Sequence, residues 1–175
     1  WPEDTENFEK YWKHGQTFQY AGKDNLRQQS AMWQAMLMAA GLPVTKKIRI
    51  NGFINGSGGV KMSKSLGNVI SPFDVVEKYG TDALRYFLLR HIPAFEDGEM
   101  SMEMFHEYYT AHLVNGLGNL ASRILNLSEK YLSPQTFEEV VPEPDFVEYL
   151  ESGEFGKALD LVWKKIDLLN EYISE

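Results

Sequence analysis

From Thr17 to Ile54 the spacing of apolar residues changes twice, and this restricts the fold more than any other feature of the chain. Thr17 to Ala21 reads as a short strand that stops at Gly22. Asn25 to Ala40 reads as a helix, with Asp24 at its N-cap and Gly41 and Pro43 as stop signals. Lys47 to Ile54 alternates charged and apolar residues, Ile48 and Ile50 among them, and reads as a second strand. A strand, one helix and a second strand on short connections make a parallel α/β unit. Such sheets bind ligands at the carboxyl ends of their strands. Two segments fall there: Gly22-Lys23-Asp24, and the loop Lys61-Met62-Ser63-Lys64-Ser65 behind the glycine-rich turn Asn55-Gly56-Ser57-Gly58-Gly59.

Beyond Asn68 the pattern is helical. Ser71 caps a helix with Pro72 at its first position and Asp74 in its first turn, and that helix stops at Gly80. Thr81 caps another that runs to about Arg90, and Pro93 to Gly98 is a loop. Ser101 caps a long helix whose stripe is Phe105, Tyr109, Leu113, Leu117, Leu120, Ile124 and Leu127 or Ser128. Gly116 and Gly118 weaken it and mark a bend or a close helix contact. Pro134 to Pro144 is an acidic linker. A last helix from about Glu154 carries Phe155, Leu159, Val162, Ile166, Leu169 and Ile173 on one face. The expected fold class is α/β followed by the start of an all-α bundle. The segments are 1–70 for the α/β part, 71–100 for a helical connective region and 101–175 for the bundle.

Composition narrows the function. The 175 residues are 43% hydrophobic and 13% aromatic, which fits a globular protein with a real core. No apolar run is long enough to span a bilayer. No cysteine is present, so disulfides and thiolate metal sites are excluded. His14, His91, His106 and His112 offer no metal-ligand spacing, and His112 on its apolar helix reads as a packed or surface residue. The formal charge of −8, from 17 basic and 25 acidic residues, argues against nonspecific duplex binding. It leaves RNA contact through local patches open. The chain starts at Trp1 and stops within a helical pattern at Glu175, so it is expected to be part of something larger.

The glycine turn leads into Lys61-Met62-Ser63-Lys64-Ser65-Leu66-Gly67-Asn68. Two ammonium groups three residues apart, with flanking hydroxyls and flexible glycines, suit closure over a polyphosphate. A Lys-x-x-Lys alone would be an ordinary solvated turn. The full string resembles the second signature of class I aminoacyl-tRNA synthetases. The order of Gly22-Lys23-Asp24, Trp33, Met36-Leu37 and Gly41-Leu42-Pro43 ahead of it is similar to methionyl-tRNA synthetases, and unlike the leucyl, isoleucyl or valyl branches. Tyr79-Gly80-Thr81-Asp82-Ala83-Leu84-Arg85-Tyr86-Phe87 is shared across these relatives. The stretch from Asn115 to Arg123 resembles the opening of the methionyl branch's anticodon-binding helices.

The resemblance implies the second half of a Rossmann-type catalytic domain, ATP-dependent activation of methionine, and transfer to tRNA(Met). ATP would enter as its Mg2+ complex, with no metal held by this chain. Lys64 and then Lys61 would hold charge on the departing pyrophosphate. Gly22, Asp24, Ile54, Lys61, Met62, Ser63, Lys64 and Ser65 would bind ATP. In that set Asp24 would accept from a ribose hydroxyl, Ile54 would offer its backbone to adenine, and Met62 would anchor the loop. For Asp24 the helix cap stays an open alternative. Gln29 would line the methionine pocket where the family often has His, and Asn51 also stands where His is common. Gln still hydrogen-bonds there but does not titrate near neutrality.

The family's His-x-Gly-His motif is absent. The implied partner is therefore an N-terminal half of the site, on the same or another chain, and this chain alone is expected to be inactive. Lys78, Arg85, Arg90, Arg123 and Lys130 read mostly as solvated faces beside the tRNA. Anticodon readers are expected beyond Glu175, in a cytoplasmic protein. The alternative is a noncatalytic tRNA-binding or scaffold role.

Overall fold

The computed structural model describes residues 3–133 and 140–174. The chain divides into two units, Trp1–Phe53 with Phe95–Asp97, and Ile54–Ala94 with Gly98–Glu175. The α/β and helical classes read from the sequence both hold.

In the first unit a short helix, α1 (residues 5–13), precedes the sheet; Asp4 caps it by accepting from the Asn7 amide at 3.1 Å. Strands β1 (Phe18–Gly22) and β2 (Lys47–Asn51) pair in parallel, from Phe18 beside Lys47 to Gly22 beside Asn51. The helix between them, α2, runs through residues 23–39, and Gln28–Met32 is wound with the wider π repeat. Gln34 ties helix to sheet. Its amide nitrogen donates to Gln19 Oε1 and Thr45 Oγ1, and its oxygen accepts from the Thr45 amide at 2.9 Å. Leu37 is buried, whereas Met36 and Met38 are exposed. A single helix over two strands has little else to cover.

The expected strand Lys47–Ile54 breaks at Gly52-Phe53. A Cβ on Gly52 would lie 2.1 Å from the Glu96 carbonyl oxygen, so only glycine permits this approach. In the second unit Ile54–Asn55 forms β3, which pairs in parallel with β4 (Gly98–Glu99), a short strand that begins at the last residue of the expected loop.

The helices of the second unit follow. Ser71 caps α3 (Pro72–Tyr79) through the Asp74 amide, as the sequence suggests. Gly80, at φ +87°, then turns the chain directly into α4 (Thr81–His91). Thr81 lies inside α4 and does not cap it, because Gly80 ends one helix and starts the next with no residue between. Ser101 caps α5 (residues 102–131) by accepting from the Met104 amide at 3.1 Å. Of the expected acidic linker, 134–139 lie outside the described residues. Pro144 opens a helix that the sequence reading lacks, α6 (Pro144–Ser152), and α7 (Phe155–Ser174) ends the described chain.

Phe105, Phe87 and Val75 are almost wholly buried and form one core with Ala83, Leu84 and Met100. Leu120, Trp163 and Ile166 form a second. The stripe read along α5 fails in part: Leu117 and Ile124 are exposed, and of the last pair Leu127 is exposed while Ser128 is partly buried. Tyr109–Gly118 is π-wound, so a 3.6-residue period carried through it loses phase. On α7, Trp163 and Ala158 are buried where the reading had Leu169, which is exposed. The close contact assigned to the glycines is real: Asn170 Nδ2 donates to the Gly116 carbonyl, 3.3 Å away. Arg90 is not on a solvated face. Its Nε donates to Asp160 Oδ1 at 3.0 Å, another guanidinium nitrogen donates to the Tyr86 hydroxyl, and the group lies over Trp163.

His91 and His112 sit beside this knot. His91 stacks on Tyr108 with ring centroids 3.9 Å apart, and His112 Nδ1 is 3.0 Å from the Tyr86 hydroxyl. His91 Nε2 is buried without a partner among the described residues. Burial first, and then the His112 and Arg90 charges, push the His91 pKa down to about 4, against a weaker opposite pull from Asp160. The unfolded chain therefore takes up a proton near pH 6.5 that the folded chain refuses. Stability is full above about pH 6.5 and is lost as pH falls toward 4. Half-exposure screens the effect to roughly 1–2 kcal/mol. His91→Phe keeps the stack and should flatten the fall in urea-unfolding free energy between about pH 7 and pH 4.5. An unchanged slope would remove His91 from this account.

Candidate functional site

The residues read from the sequence as a site divide between the units. Gly22, Asp24 and Gln29 belong to the first, and Ile54, Lys61, Met62, Ser63, Lys64 and Ser65 to the second.

In the first unit Gly22 ends β1 and occupies the N-cap of α2 without a side-chain bond. Asp24 does not cap the helix. It lies in the first turn, and its Oδ1 accepts from the Asn25 side-chain amide at 3.2 Å. A Cβ on Gly22 would meet that same Oδ1 at 2.7 Å. The glycine therefore lets the carboxylate fold back over the end of β1, where a sugar hydroxyl could donate to it. Lys23 turns the other way. Its Nζ donates to both carboxylate oxygens of Asp97, each at 2.6 Å.

Gln29 lines an open cavity of about 450 Å³ with Gln19, Gln28, Met32, Trp33 and Met36. The helix residues among them recur at i, i+4 and i+8 spacing, so they share one face of α2. Trp33 Nε1 is buried without a partner among the described residues. The cavity thus combines amide groups, two thioethers and an indole.

In the second unit the glycine turn is held at both ends. The Gly56 amide donates to the Val60 carbonyl at 2.8 Å, and the Gly58 amide donates to Glu99 Oε2 at 3.1 Å. Gly58 and Gly59 stand at φ +70° and +73°, where a side chain would be strained. The lysine loop follows. Asn68 closes it like a clasp: its Oδ1 accepts from the Ser63 amide at 2.8 Å and its Nδ2 donates to the Lys61 carbonyl at 3.3 Å. Ser63 Oγ accepts from the Leu66 amide and lies 3.2 Å from Ser65 Oγ, so both hydroxyls shape the single turn Lys64–Leu66. Met62 packs against the main core of the unit, as an anchor would. Lys64 has no ion pair or hydrogen bond to its ammonium among the described residues. The loop is therefore hydrogen-bonded across its base and carries the exposed Lys64 cation.

The sequence reading gives no role to Asn68, Glu99, Asp97 or Gln34. Gly67-Asn68 directly after a lysine-serine turn was a usable signal, because Asn side chains satisfy turn backbone. The others act across long sequence separations and leave no local pattern.

The family model described as tRNA synthetases class I (M) matches residues 2–125. This chain belongs to the methionyl-tRNA synthetase family. Among curated relatives it is 39% identical to the methionine–tRNA ligase of Caldanaerobacter subterraneus, covering 99% of this chain and 29% of that protein. The Bacillus subtilis methionine–tRNA ligase is 36% identical, over 98% of this chain and 28% of its own length. The chain thus spans less than a third of the curated relatives it matches. Its fold is similar to Mycobacterium tuberculosis methionyl-tRNA synthetase in complex with methionyl-adenylate, with a TM-score of 0.83 and 32% identity over 98% of this chain and 36% of that one. The free form of the same synthetase gives a TM-score of 0.78. No helix among the described residues is long and apolar enough to cross a membrane.

Proposed function

We propose that this chain supplies the lysine-loop half of a methionine–tRNA ligase active site and works with an N-terminal half that carries the other phosphate-binding corner. The observation that carries this reading is the clasped Lys61–Asn68 loop, with the half-buried Met62 packed against the core and the Lys64 ammonium without a partner among the described residues. In the activation step the methionine carboxylate attacks the α-phosphorus of Mg2+-ATP, the bond to the bridging oxygen breaks, and pyrophosphate leaves. Negative charge gathers on the departing oxygens, and a fixed cation held near them is stronger stabilisation than solvent can offer.

Lys64 has that role, with Lys61 as a second cation. Ser63 and Ser65 keep the turn in shape. Asp24 accepts from the ribose, Gly22 gives it room, and Ile54 meets the adenine through its backbone. Gln29 contributes an amide to the methionine side of the site. In the second step the methionyl group passes from the adenylate to the terminal ribose of tRNA(Met), which runs along the helical unit.

The test is methionine-dependent pyrophosphate exchange. The chain alone should give a rate at background, and adding an N-terminal half with the His-x-Gly-His motif should raise it. Robust exchange by the rigorously purified chain alone would overturn the half-site reading.

A further inference from the structure

One set of contacts at the carboxyl ends of β1 and β2 has no part in the proposed chemistry. We propose that Asp97 is a positioning residue for nucleotide recognition: it locks the Gly22–Asp24 turn to the Gly52-Phe53 turn and so fixes where the Asp24 carboxylate stands. This rests on the ligase reading.

The register places Gly22 beside Asn51, so the turns that follow the two strands emerge side by side. Asp97 spans them. Its two oxygens take the Lys23 ammonium at 2.6 Å each, and Oδ1 also accepts from the Phe53 amide at 2.8 Å. The Lys23 ammonium lies 4.7 Å from the centre of the Phe53 ring, which adds a cation–π contact to the same knot. Residues Phe95–Asp97 return to this unit from far along the chain, and the absent side chain of Gly52 lets them approach.

A lone exposed ion pair adds little to stability. Here one carboxylate joins a side chain from one turn to a backbone amide of the other, so it acts on geometry. Lys23 directly precedes Asp24, and holding its side chain on Asp97 leaves the next side chain to fold back over Gly22. The Lys23 pair and the Phe53 amide also hold the Asp97 carboxyl below its usual range, so the lock stays charged at neutral pH.

The test uses Asp97→Ala and Asp97→Asn. In the 175-residue chain, hydrogen exchange at Lys23–Asn25 and Phe53 should quicken about tenfold or more in Asp97→Ala, while Ile48, Ile50 and Leu37 keep their rates. Asp97→Asn keeps an oxygen for the Phe53 amide, so Phe53 should stay protected while Lys23–Asn25 loosen. In the ligase polypeptide carrying this segment, Asp97→Ala should raise the KM for ATP about fivefold or more, with the methionine KM unchanged and Asp97→Asn in between. A uniform rise in exchange across the unit, or a fall in kcat alone, would reduce Asp97 to a general structural residue and overturn the proposal. An unchanged ATP KM in Asp97→Ala beside slow activation in Lys64→Ala would overturn the role of Asp97 alone. A wild-type ligase polypeptide carrying this segment that gave no methionine-dependent pyrophosphate exchange would overturn the ligase reading and this role with it.

Discussion

Lys64→Ala is expected to slow adenylate formation in the ligase by about a hundredfold to a thousandfold, the usual loss for one aimed donor or cation at a transition state, near 3 kcal/mol. Methionine affinity should change little, because in the proposed role the ammonium meets the extra charge that develops as pyrophosphate leaves. The geometry supports a large effect. Asn68 and Ser63 have already fixed the backbone on both sides of Lys64, so little order is left to impose when substrate binds. Lys61→Ala should cost less, as the second of the two cations in the proposed role. Single-turnover activation measured by rapid quench separates the two steps. An unchanged activation rate in Lys64→Ala would show that the cation is not where the charge develops.

Phe105→Ala should destabilise the helical unit by about 3–5 kcal/mol, a large share of the 5–15 kcal/mol typical of a domain. Phe105 is 1% exposed, and its ring meets those of Tyr79 at 4.9 Å and Phe87 at 5.1 Å between centroids. Removing it opens a cavity where α3, α4 and α5 converge, and those backbones are tied by other contacts and cannot collapse to fill it. Leu125→Ala, on the same helix but 70% exposed, should stay within about 0.5 kcal/mol. Urea unfolding followed by helical circular dichroism compares the two. Equal costs would mean that the core of this unit lies elsewhere.

What could be read in advance followed the range of the interactions. The Ser71 and Ser101 caps are bonds between residues three apart, so their signals survive in sequence. The Thr81 cap failed because a short-range rule cannot show that Gly80 joins two helices without a spacer. The stripe on α5 held at Phe105, Leu113 and Leu120 and slipped at Leu117, inside the π-wound segment, and at Ile124, after it. Arg90 read as a solvated charge because its partners Asp160 and Trp163 are seventy or more positions away.

The same division runs through the site. The residue types and order of the lysine loop, the glycines that turn into it and the Gly-Lys-Asp turn were all determined by sequence, since each is contiguous chemistry whose spacing is its function. Sequence also determined the parallel pairing of β1 and β2, because the connection between them is one helix and admits little else. Only tertiary structure decided which way Asp24 faces, that Asn68 is the clasp, and that Glu99 and Asp97 reach back to the two turns. The physical reason is that a hydrogen bond needs a partner within about 3 Å but sets no limit on distance along the chain. Such pairs become visible only once strands, helices and returning segments have brought them together.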